Sequence, residues 1–372
     1  MRTAHQDLHS EFGGLRHEHA GRARNPVTKV ADLAWLEFEK PDLDRAAVFA
    51  RDFGFEVAAR EPDALWLRGT FEGPPCMVIR RGRTSRFIGP AFRAAESADL
   101  HRLARATGRD VRAADVPGGG EVVDLLDPSG FPVRVVHCAL VLPALPEQVP
   151  LTLNFGTGKP RTNATQRAPR EPSRIQRLGH VVLETPVFGR ALDWYLETLG
   201  MIVSDFLFLD GQRDRGPTMA FIRCDRGGEA ADHHTLAMHL GPGTGYVHSA
   251  YQVTDLDSIA AGGEYLAERG YRRSWGIGRH VQGSQLFDYW RDPDRFMLEH
   301  FADGDLFSCD VEPGWAPMSA SGLAQWGPPV TRDFLGANPS PALVSRLAAA
   351  LRDDDNEIDL ARLVALKKAM SS

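Results

Sequence analysis

The sequence predicts an α+β fold built from tandem β-α-β-β-β modules and arranged as two paired-module domains. The first observation behind this prediction is a repeated stretch, LAWLEFEKPDLDRAAVFARDFGFEV from Leu33 and LGHVVLETPVFGRALDWYLETLGMIV from Leu178. The second is a repeated hairpin pattern, VVDLLDPSGFPVRVVH from Val122 and LFDYWRDPDRFMLEHF from Leu286. Self-similarity over a long period is the signature of a duplicated structural unit, so both halves of the chain are expected to share one architecture.

Each repeated stretch begins with an alternating strand and continues, after a turn that contains proline, into an amphipathic helix. Gly54 and Gly200 follow the two helices, at the position where a left-handed residue commonly ends a helix. Further helices are predicted around 98–107 and 256–269. The Asp-Pro turns of the second repeat predict hairpins. Each half therefore contains two β-α-β-β-β units.

The repeats divide the chain of 372 residues into five segments. We expect a flexible N-terminal arm (1–29), an N-terminal repeat domain (30–138), a surface linker rich in Pro, Thr, Arg and Asn (139–174), a C-terminal repeat domain (175–302) and a C-terminal extension (303–372). The extension carries two short helical patterns, at 341–352 and 357–368.

Composition limits the classes of protein to consider. The chain is 43% hydrophobic and 25% charged, which is typical of a globular protein rather than a disordered one. The net charge of -6 is dispersed, so nucleic acid is not an expected partner. The four cysteines lie far apart, and no apolar run is long enough to span a bilayer. A cytoplasmic protein without a membrane partner is expected. We interpret the histidines of the arm as solvated; they are His5, His9, His17 and His19.

Three residues of the second half are candidate metal ligands. His180 lies on the first strand of that half, His248 in the strand GYVHSAYQV, and Glu299 in the last strand. Because side chains alternate between the faces of a strand, each shares a face with apolar neighbours. A buried charge or imidazole needs a partner, and a metal ion is the strongest one. Two histidines and one carboxylate form the facial triad of non-haem iron(II) enzymes, which leaves three positions for substrate and dioxygen.

The first half serves as an internal control. The repeat aligns His180 with Trp35, His248 with Gly89 and Glu299 with Arg134. Tryptophan, glycine and arginine are not ordinary metal ligands. We therefore expect the N-terminal domain to be non-catalytic and the C-terminal domain to be catalytic.

The four motifs GHVVLET, DHHTLAM, YVHSAYQVTDLD and GRHVQGSQLFDYWRDPDRFMLEHF resemble those of the vicinal oxygen chelate superfamily. Within it, the chain is similar to the two-domain type I extradiol dioxygenases, the group of catechol 2,3-dioxygenase and 2,3-dihydroxybiphenyl 1,2-dioxygenase. The resemblance covers 30–302 in organisation and is sharp in 175–302. It implies the glyoxalase-like paired-module fold, with Fe(II), or alternatively Mn(II), held by His180, His248 and Glu299.

The resemblance also implies roles for three catalytic residues. His234 matches the acid–base histidine of the family, with His233 as the alternative, while His280 and Tyr289 match groups that hydrogen-bond the substrate hydroxyls. The implied reaction inserts both atoms of O2 into a catechol-type ring beside its diol, as in the degradation of aromatic compounds. No residue is assigned to an organic cofactor. Because relatives usually assemble, a homo-oligomer is expected.

One departure from the family pattern leaves the ring substituent open. Gln282 and Gly283 follow the GRH motif, where some biphenyl-type members have a short polar pair. A simple alkyl catechol, a bicyclic diol and a carboxylated catechol are all candidate substrates.

Two alternatives share the expected fold. A glyoxalase-like isomerase with another divalent metal would need an additional carboxylate or amide ligand, and the first half offers Trp35 and Arg134 instead. A metal-free binding protein would have no reason to keep the three candidate ligands together with three candidate catalytic residues. Analysis of bound metal and oxygen uptake with a catechol would separate these classes.

Overall fold

The computed structural model describes residues 14–15, 17–138, 140–337 and 341–370. In the first half, two consecutive β-α-β-β-β modules follow one another along the chain. The first module comprises β1 (Val30–Lys40), α1 (Leu43–Phe53), β2 (Glu56–Arg60), β3 (Ala64–Arg68) and β4 (Met77–Arg81). The second comprises β5 (Arg86–Ala94), α2 (Ser97–Thr107), β6 (Val111–Ala113), β7 (Gly120–Leu126) and β8 (Pro132–Cys138).

The second half repeats this order from residue 177 onward. Its first module comprises β9 (Arg177–Thr185), α3 (Phe188–Leu199), β10 (Met201–Phe208), β11 (Met219–Cys224), the short β12 (Ala231–Asp232) and β13 (Leu236–Leu240). Its second comprises β14 (Gly245–Gln252), α4 (Leu256–Glu268), β15 (Arg272–His280), β16 (Leu286–Arg291) and β17 (Met297–Ala302). The predicted α+β class and the repeated modules are confirmed.

Each half forms one large sheet. The first sheet has the order β2-β3-β4-β1-β5-β8-β7-β6, and the second contains the corresponding run β10-β11-β13-β9-β14-β17-β16-β15. In both, the first strands of the two modules pair antiparallel at the centre, as β1 with β5 and β9 with β14. Each first strand also pairs in parallel with the last strand of its own module.

The helix ends explain part of this local order. Asp42 begins α1 by accepting a hydrogen bond from the backbone N–H of Arg45, which satisfies one of the free donors of the first turn. Gly54 and Gly200 end α1 and α3 with φ values of 107° and 65°, as their sequence positions predict. A side chain at Gly54 would also collide with the backbone of Ser173, since a Cβ would lie 1.7 Å from its carbonyl oxygen.

Strand registers support the alignment made from the repeat. Two rows of three paired residues cross the centres of the two sheets: Trp35, Ala91 and Arg134 in the first, and His180, Ala250 and Glu299 in the second. One step further along, Glu37 pairs with Gly89 in the first sheet, while Val182 pairs with His248 in the second. His180 thus corresponds to Trp35, His248 to Gly89 and Glu299 to Arg134.

The two halves contact each other through α1 and β1. Lys40, at the end of β1, is buried and forms an ion pair with Asp292, in the turn between β16 and β17. His300 on β17 donates from Nε2 to the carbonyl oxygen of Phe53 at 2.7 Å, and the two rings stack with centroids 3.9 Å apart. Asp52 accepts hydrogen bonds from the hydroxyl of Tyr271, which follows α4. The first half therefore packs against the strand that carries Glu299 and stabilises its position.

The described part of the N-terminal arm forms backbone hydrogen bonds with the second half. The Gly21 carbonyl accepts a hydrogen bond from Val203 N at 2.7 Å, and Val27 N donates to the Glu197 carbonyl at 2.8 Å. Backbone pairing of this kind does not require apolar side chains, so the polar composition did not reveal it. His5 and His9 lie outside the described residues. His17 is exposed, and the remaining arm histidine, His19, has Nε2 2.9 Å from a carboxylate oxygen of Asp193.

The C-terminal extension adds one strand to each edge of the second sheet, and a further strand forms a separate two-stranded sheet with β12. Strand β18 (Leu306–Phe307) pairs with β12, β19 (Gly314–Pro317) pairs in parallel with β10, and β20 (Ala324–Trp326) pairs with β15. Helix α5 (Pro341–Ala350) lies within the predicted pattern 341–352, and α6 (Leu360–Ala369) begins inside the predicted pattern 357–368 and ends one residue beyond it. Among the described residues, none of the helices has the length and apolarity required to cross a bilayer.

Candidate metal centre

Three neighbouring strands bring the candidate ligands together. His180 on β9, His248 on β14 and Glu299 on β17 are all buried, and each offers one ligand atom within 4.8 Å of the other two. Glu299 Oε2 lies 3.3 Å from His180 Nε2 and 3.4 Å from His248 Nε2. These distances place two nitrogens and one oxygen around a common point.

The donor set fits a divalent cation. Both carboxylate oxygens of Glu299 are buried without a hydrogen-bond partner among the described residues. Leaving a buried carboxylate unpaired is costly, and a bound cation removes that cost. Ligand atoms about 2.0–2.2 Å from one ion at roughly right angles lie about 3 Å apart, close to the two N···O distances. His180, His248 and Glu299 could therefore hold such an ion without a large rearrangement.

The protonation states favour metal binding. Burial opposes ionisation of the Glu299 carboxyl, but the imidazoles of His180 and His248 hold its pKa well below the ordinary value. Burial lowers the pKa of His248 to about 4. At neutral pH the site therefore presents a carboxylate and a neutral imidazole, the forms that donate lone pairs to a metal.

His280 and Tyr289 form a hydrogen-bonded pair beside this centre. His280 Nδ1 lies 2.8 Å from the carbonyl oxygen of Leu323, which can only accept, so Nδ1 carries the proton. In the neutral ring, Nε2 is then the acceptor for the Tyr289 hydroxyl at 2.7 Å. Burial lowers the pKa of His280 and raises the pKa of Tyr289 well above its ordinary value. Strand pairing sets Tyr289 directly opposite Glu299.

His234 lies on the other side of His180. Their ring centroids are 4.0 Å apart, and burial lowers the pKa of His234 well below its ordinary value. His233 and His234 occupy the bend between β12 and β13. A bend allows both rings to turn inward, whereas adjacent residues of a strand point to opposite faces. His233 Nδ1 is 3.0 Å from His234 Nδ1.

Two groups of apolar side chains flank the centre. One contains Val182, Phe221 and Ala237, and the other contains Trp275, Phe287, Tyr289 and Met297. Phe334, from the extension, packs against the second group, with its ring centroid 4.8 Å from that of Tyr289. These apolar side chains give the candidate metal centre an apolar environment with little access for water.

Sequence reasoning missed three contributors to the site. Leu323 and Phe334 come from the extension, where no local pattern indicates that the chain returns to the site. Asp205 lies on β10, with Oδ2 2.6 Å from His233 Nε2. A carboxylate inside the mostly apolar strand MIVSDFLF was the one available signal for it.

Comparison with known proteins decides the family. Residues 177–300 match the model of the Glyoxalase/Bleomycin resistance protein/Dioxygenase superfamily. Metapyrocatechase 2 of Cupriavidus necator is 31% identical over 324 residues, which cover 85% of this chain and 94% of that protein. This chain belongs to the extradiol dioxygenases of the vicinal oxygen chelate superfamily. The predicted family and the predicted extradiol ring cleavage are thereby confirmed.

Further relatives agree with this membership. The iron-dependent extradiol dioxygenase of Rhodococcus jostii (strain RHA1) is 24% identical, with 80% of this chain and 96% of that protein covered. Homoprotocatechuate 2,3-dioxygenase from Brevibacterium fuscum, solved with 3,4-dihydroxyphenylacetate, shares the fold at a TM-score of 0.68, 19% identity and coverage of 86% and 95%. A Mn(II)-bound glyoxalase from Novosphingobium aromaticivorans also has a TM-score of 0.68, at 21% identity and coverage of 84% and 95%. At these identities the solved structures establish the fold, while the metapyrocatechase relative favours the dioxygenase over the isomerase.

Proposed function

We propose that this extradiol dioxygenase depends on iron(II) held by His180, His248 and Glu299, and that it cleaves a catechol-type ring beside the diol with O2 as co-substrate. The observation that carries the proposal is the buried Glu299 carboxylate, whose Oε2 lies 3.3 and 3.4 Å from two imidazole nitrogens. Mn(II) is the alternative ion, because two nitrogens and one oxygen suit both metals.

We further propose that the site belongs to a catalytic domain of residues 175–302, joined by a linker (139–174) to a non-catalytic domain of residues 30–138. Equivalent positions of the two sheets support this division. Where the second sheet has two imidazoles and a carboxylate, the first has an indole, a glycine and a guanidinium. The extension, 303–372, completes the wall of the site through Leu323 and Phe334.

The proposed mechanism assigns separate proton tasks to the two sides of the site. An ion held by His180, His248 and Glu299 would supply Lewis acidity that lowers the pKa of a substrate hydroxyl, together with the redox chemistry that reaction with dioxygen requires. His280 accepts the hydroxyl proton at Nε2, the atom that now accepts from Tyr289. The Tyr289 hydroxyl then hydrogen-bonds the substrate oxygen. His234 provides an acid–base group on the opposite side, which is worth roughly 10²–10⁴ in rate.

The proposed substrate carries an uncharged ring substituent. Apolar side chains such as Phe221, Trp275 and Phe334 flank the centre. Arg291, two residues after Tyr289 on β16, is already paired with the carboxylate of Asp333. A carboxylated ring would therefore lose hydration against these apolar side chains, and Arg291 would not be free to compensate.

The test is anaerobic loading with ferrous ion, followed by a panel of catechols that differ in their substituent. We expect oxygen uptake and a yellow ring-opened product, with alkyl or aryl catechols turned over faster than carboxylated ones. Parallel loading with Mn(II) and Zn(II) identifies the metal, because Zn(II) has no redox chemistry. If neither the iron nor the manganese form consumed oxygen with any catechol, the proposal would be wrong.

Two properties of the whole protein complete the proposal. We place it in the cytoplasm, which is supported by the free thiols of Cys76, Cys224 and Cys309. We also expect a homo-oligomer, and light scattering of the purified chain would measure its mass.

A further inference from the structure

A chain of buried side chains leads from β10 to the candidate acid–base residue. Asp205 Oδ2 lies 2.6 Å from His233 Nε2, and His233 Nδ1 lies 3.0 Å from His234 Nδ1. The three residues are at most 6% exposed, so water does not compete strongly for these hydrogen bonds. Among the described residues, His234 Nε2 has no hydrogen-bond partner, which leaves this atom available to a substrate.

The chemistry of the partners fixes the direction of the hydrogen bonds. A carboxylate only accepts, so His233 Nε2 must carry a proton. With both rings neutral, His233 Nδ1 is then an acceptor, and the proton between the two rings belongs to His234 Nδ1. The remaining nitrogen of His234, Nε2, therefore presents a lone pair.

The surroundings hold the His233 ring in place. The backbone N–H of His233 donates to the Asp305 carbonyl at 2.9 Å, and its own carbonyl accepts from the Ser204 hydroxyl at 2.6 Å. Gly283 packs directly against the ring, since a Cβ there would lie 3.0 Å from His233 Nδ1, and its φ of 77° also favours glycine. The departure from the family pattern at Gly283 thus makes room for His233.

We propose that Asp205 and His233 are positioning residues that fix the orientation and tautomer of His234, so that its Nε2 faces the metal centre as a hydrogen-bond acceptor. The inference rests on the proposed function, in which His234 is the acid–base group. His234 then meets the substrate as a base at Nε2 and returns the proton from the same atom. This accounts for a buried carboxylate and a second histidine that, among the described residues, have no hydrogen bond or ring contact with the candidate ligands.

The first experiment is kinetic and uses the iron-loaded protein. Asp205→Asn places an amide beside His233; its NH2 can donate to Nε2 and thereby reverse both hydrogen bonds. We expect kcat to fall roughly 10- to 1,000-fold, with KM and iron content within about twofold of the parent, since a wrong tautomer impairs proton transfer while binding persists. The matched control is Asp232→Asn, since Asp232 precedes His233 but pairs with Arg177; its kcat should stay near the parent value.

A double-mutant cycle separates positioning from a general structural effect. If Asp205 acts through His234, Asp205→Asn should change kcat little in a His234→Ala background. Equal losses of kcat in both backgrounds would overturn the inference while leaving extradiol cleavage intact. His233→Phe keeps a ring between Phe221 and Phe307 but removes both hydrogen bonds of His233. It should reproduce the loss of kcat.

A spectroscopic readout does not depend on turnover. Nitrogen-15 NMR of the Zn(II)-loaded protein distinguishes protonated from unprotonated ring nitrogens. We expect His234 to be protonated at Nδ1 and unprotonated at Nε2, and Asp205→Asn to exchange the two. A parent protein with the proton on His234 Nε2 would refute the inference even if every catechol were cleaved.

Discussion

The two halves of this protein share strand order and register. Each contains a buried glutamate at the centre of its sheet, but the two carboxylates have different partners. In the second half, two imidazoles converge on the Glu299 carboxylate, whose two oxygens have no hydrogen-bond partner among the described residues. In the first half, the residue in the place of Glu299 is Arg134, which forms an ion pair with buried Glu37. In the proposed function a metal ion would provide the positive charge in the second half, whereas in the first half the Arg134 side chain provides it.

The same contrast extends to the residues proposed to handle protons. Asp124 takes the place of Tyr289, as it pairs across its sheet with Arg134 and accepts from that guanidinium at 3.1 Å. Pro75 occupies the place of His234, because each precedes the residue whose carbonyl accepts from the backbone N–H of the central strand. Equivalent backbone positions in the two sheets therefore carry different side chains, and only those of the second half suit catalysis.

The first half also lacks the space to regain a metal site. A Cβ at Gly89, the equivalent of His248, would lie 1.9 Å from the carbonyl oxygen of Pro132. Trp35, the equivalent of His180, is buried and fills the region with an indole. One metal ion per chain is the stoichiometry that this comparison predicts.

Glu299→Ala should have the largest effect of any single change. Without the carboxylate, two imidazoles alone hold the ion, and we expect iron content and ring cleavage to fall together to background. Metal analysis after dialysis and oxygen uptake measure the two losses. Arg134→Ala, at the equivalent position of the first sheet, is the matched control and should keep one iron per chain. Normal iron content in Glu299→Ala would remove this carboxylate from the site.

His234→Ala should separate chemistry from metal binding. His234 contacts His180 through its ring but does not share the cluster of ligand atoms. We expect iron content to remain near one per chain and catechol binding to persist, while kcat falls roughly 10²–10⁴-fold. Single-turnover measurements of product formation would show the loss directly. Full activity in this variant would show that the acid–base role belongs elsewhere.

Sequence reasoning succeeded where the signal was local or repeated. The period of the apolar residues and the glycines after α1 and α3 predicted the modules, and polar residues on apolar strand faces indicated His180, His248 and Glu299. The Asp205–His233 contact and the Leu323–His280 contact were not predictable, because they join residues 28 and 43 positions apart. Such contacts depend on strand register and on the path of the extension, which no local pattern records.

Lys40→Met should show how strongly the first half supports the second. The substitution leaves the buried Asp292 carboxylate without its partner, and breaking a buried ion pair costs roughly 3–5 kcal/mol. Urea unfolding would measure this free energy, and metal analysis would show whether β17 still holds Glu299 in place. The control is the double variant Lys40→Met with Asp292→Asn, which removes the unpaired charge but keeps an oxygen for the turn hydrogen bonds from Asp294 and Phe296. It should recover part of the stability; equal instability of both variants would mean that the ion pair is not the cause.

Arg134→Ala should have the smallest effect and test the contrast between the halves most directly. Glu37 would keep Arg80, whose Nε donates to it at 2.8 Å, so the buried carboxylate would not be left unpaired. We therefore expect a loss of about 1–3 kcal/mol in the free energy of unfolding, the range for one charged hydrogen bond. Iron content and kcat should stay unchanged, because nothing in the first half binds the ion. A loss of iron in this variant, with the fold intact, would show that the first half contributes to the metal centre. The proposal that only the second half is catalytic would then be wrong.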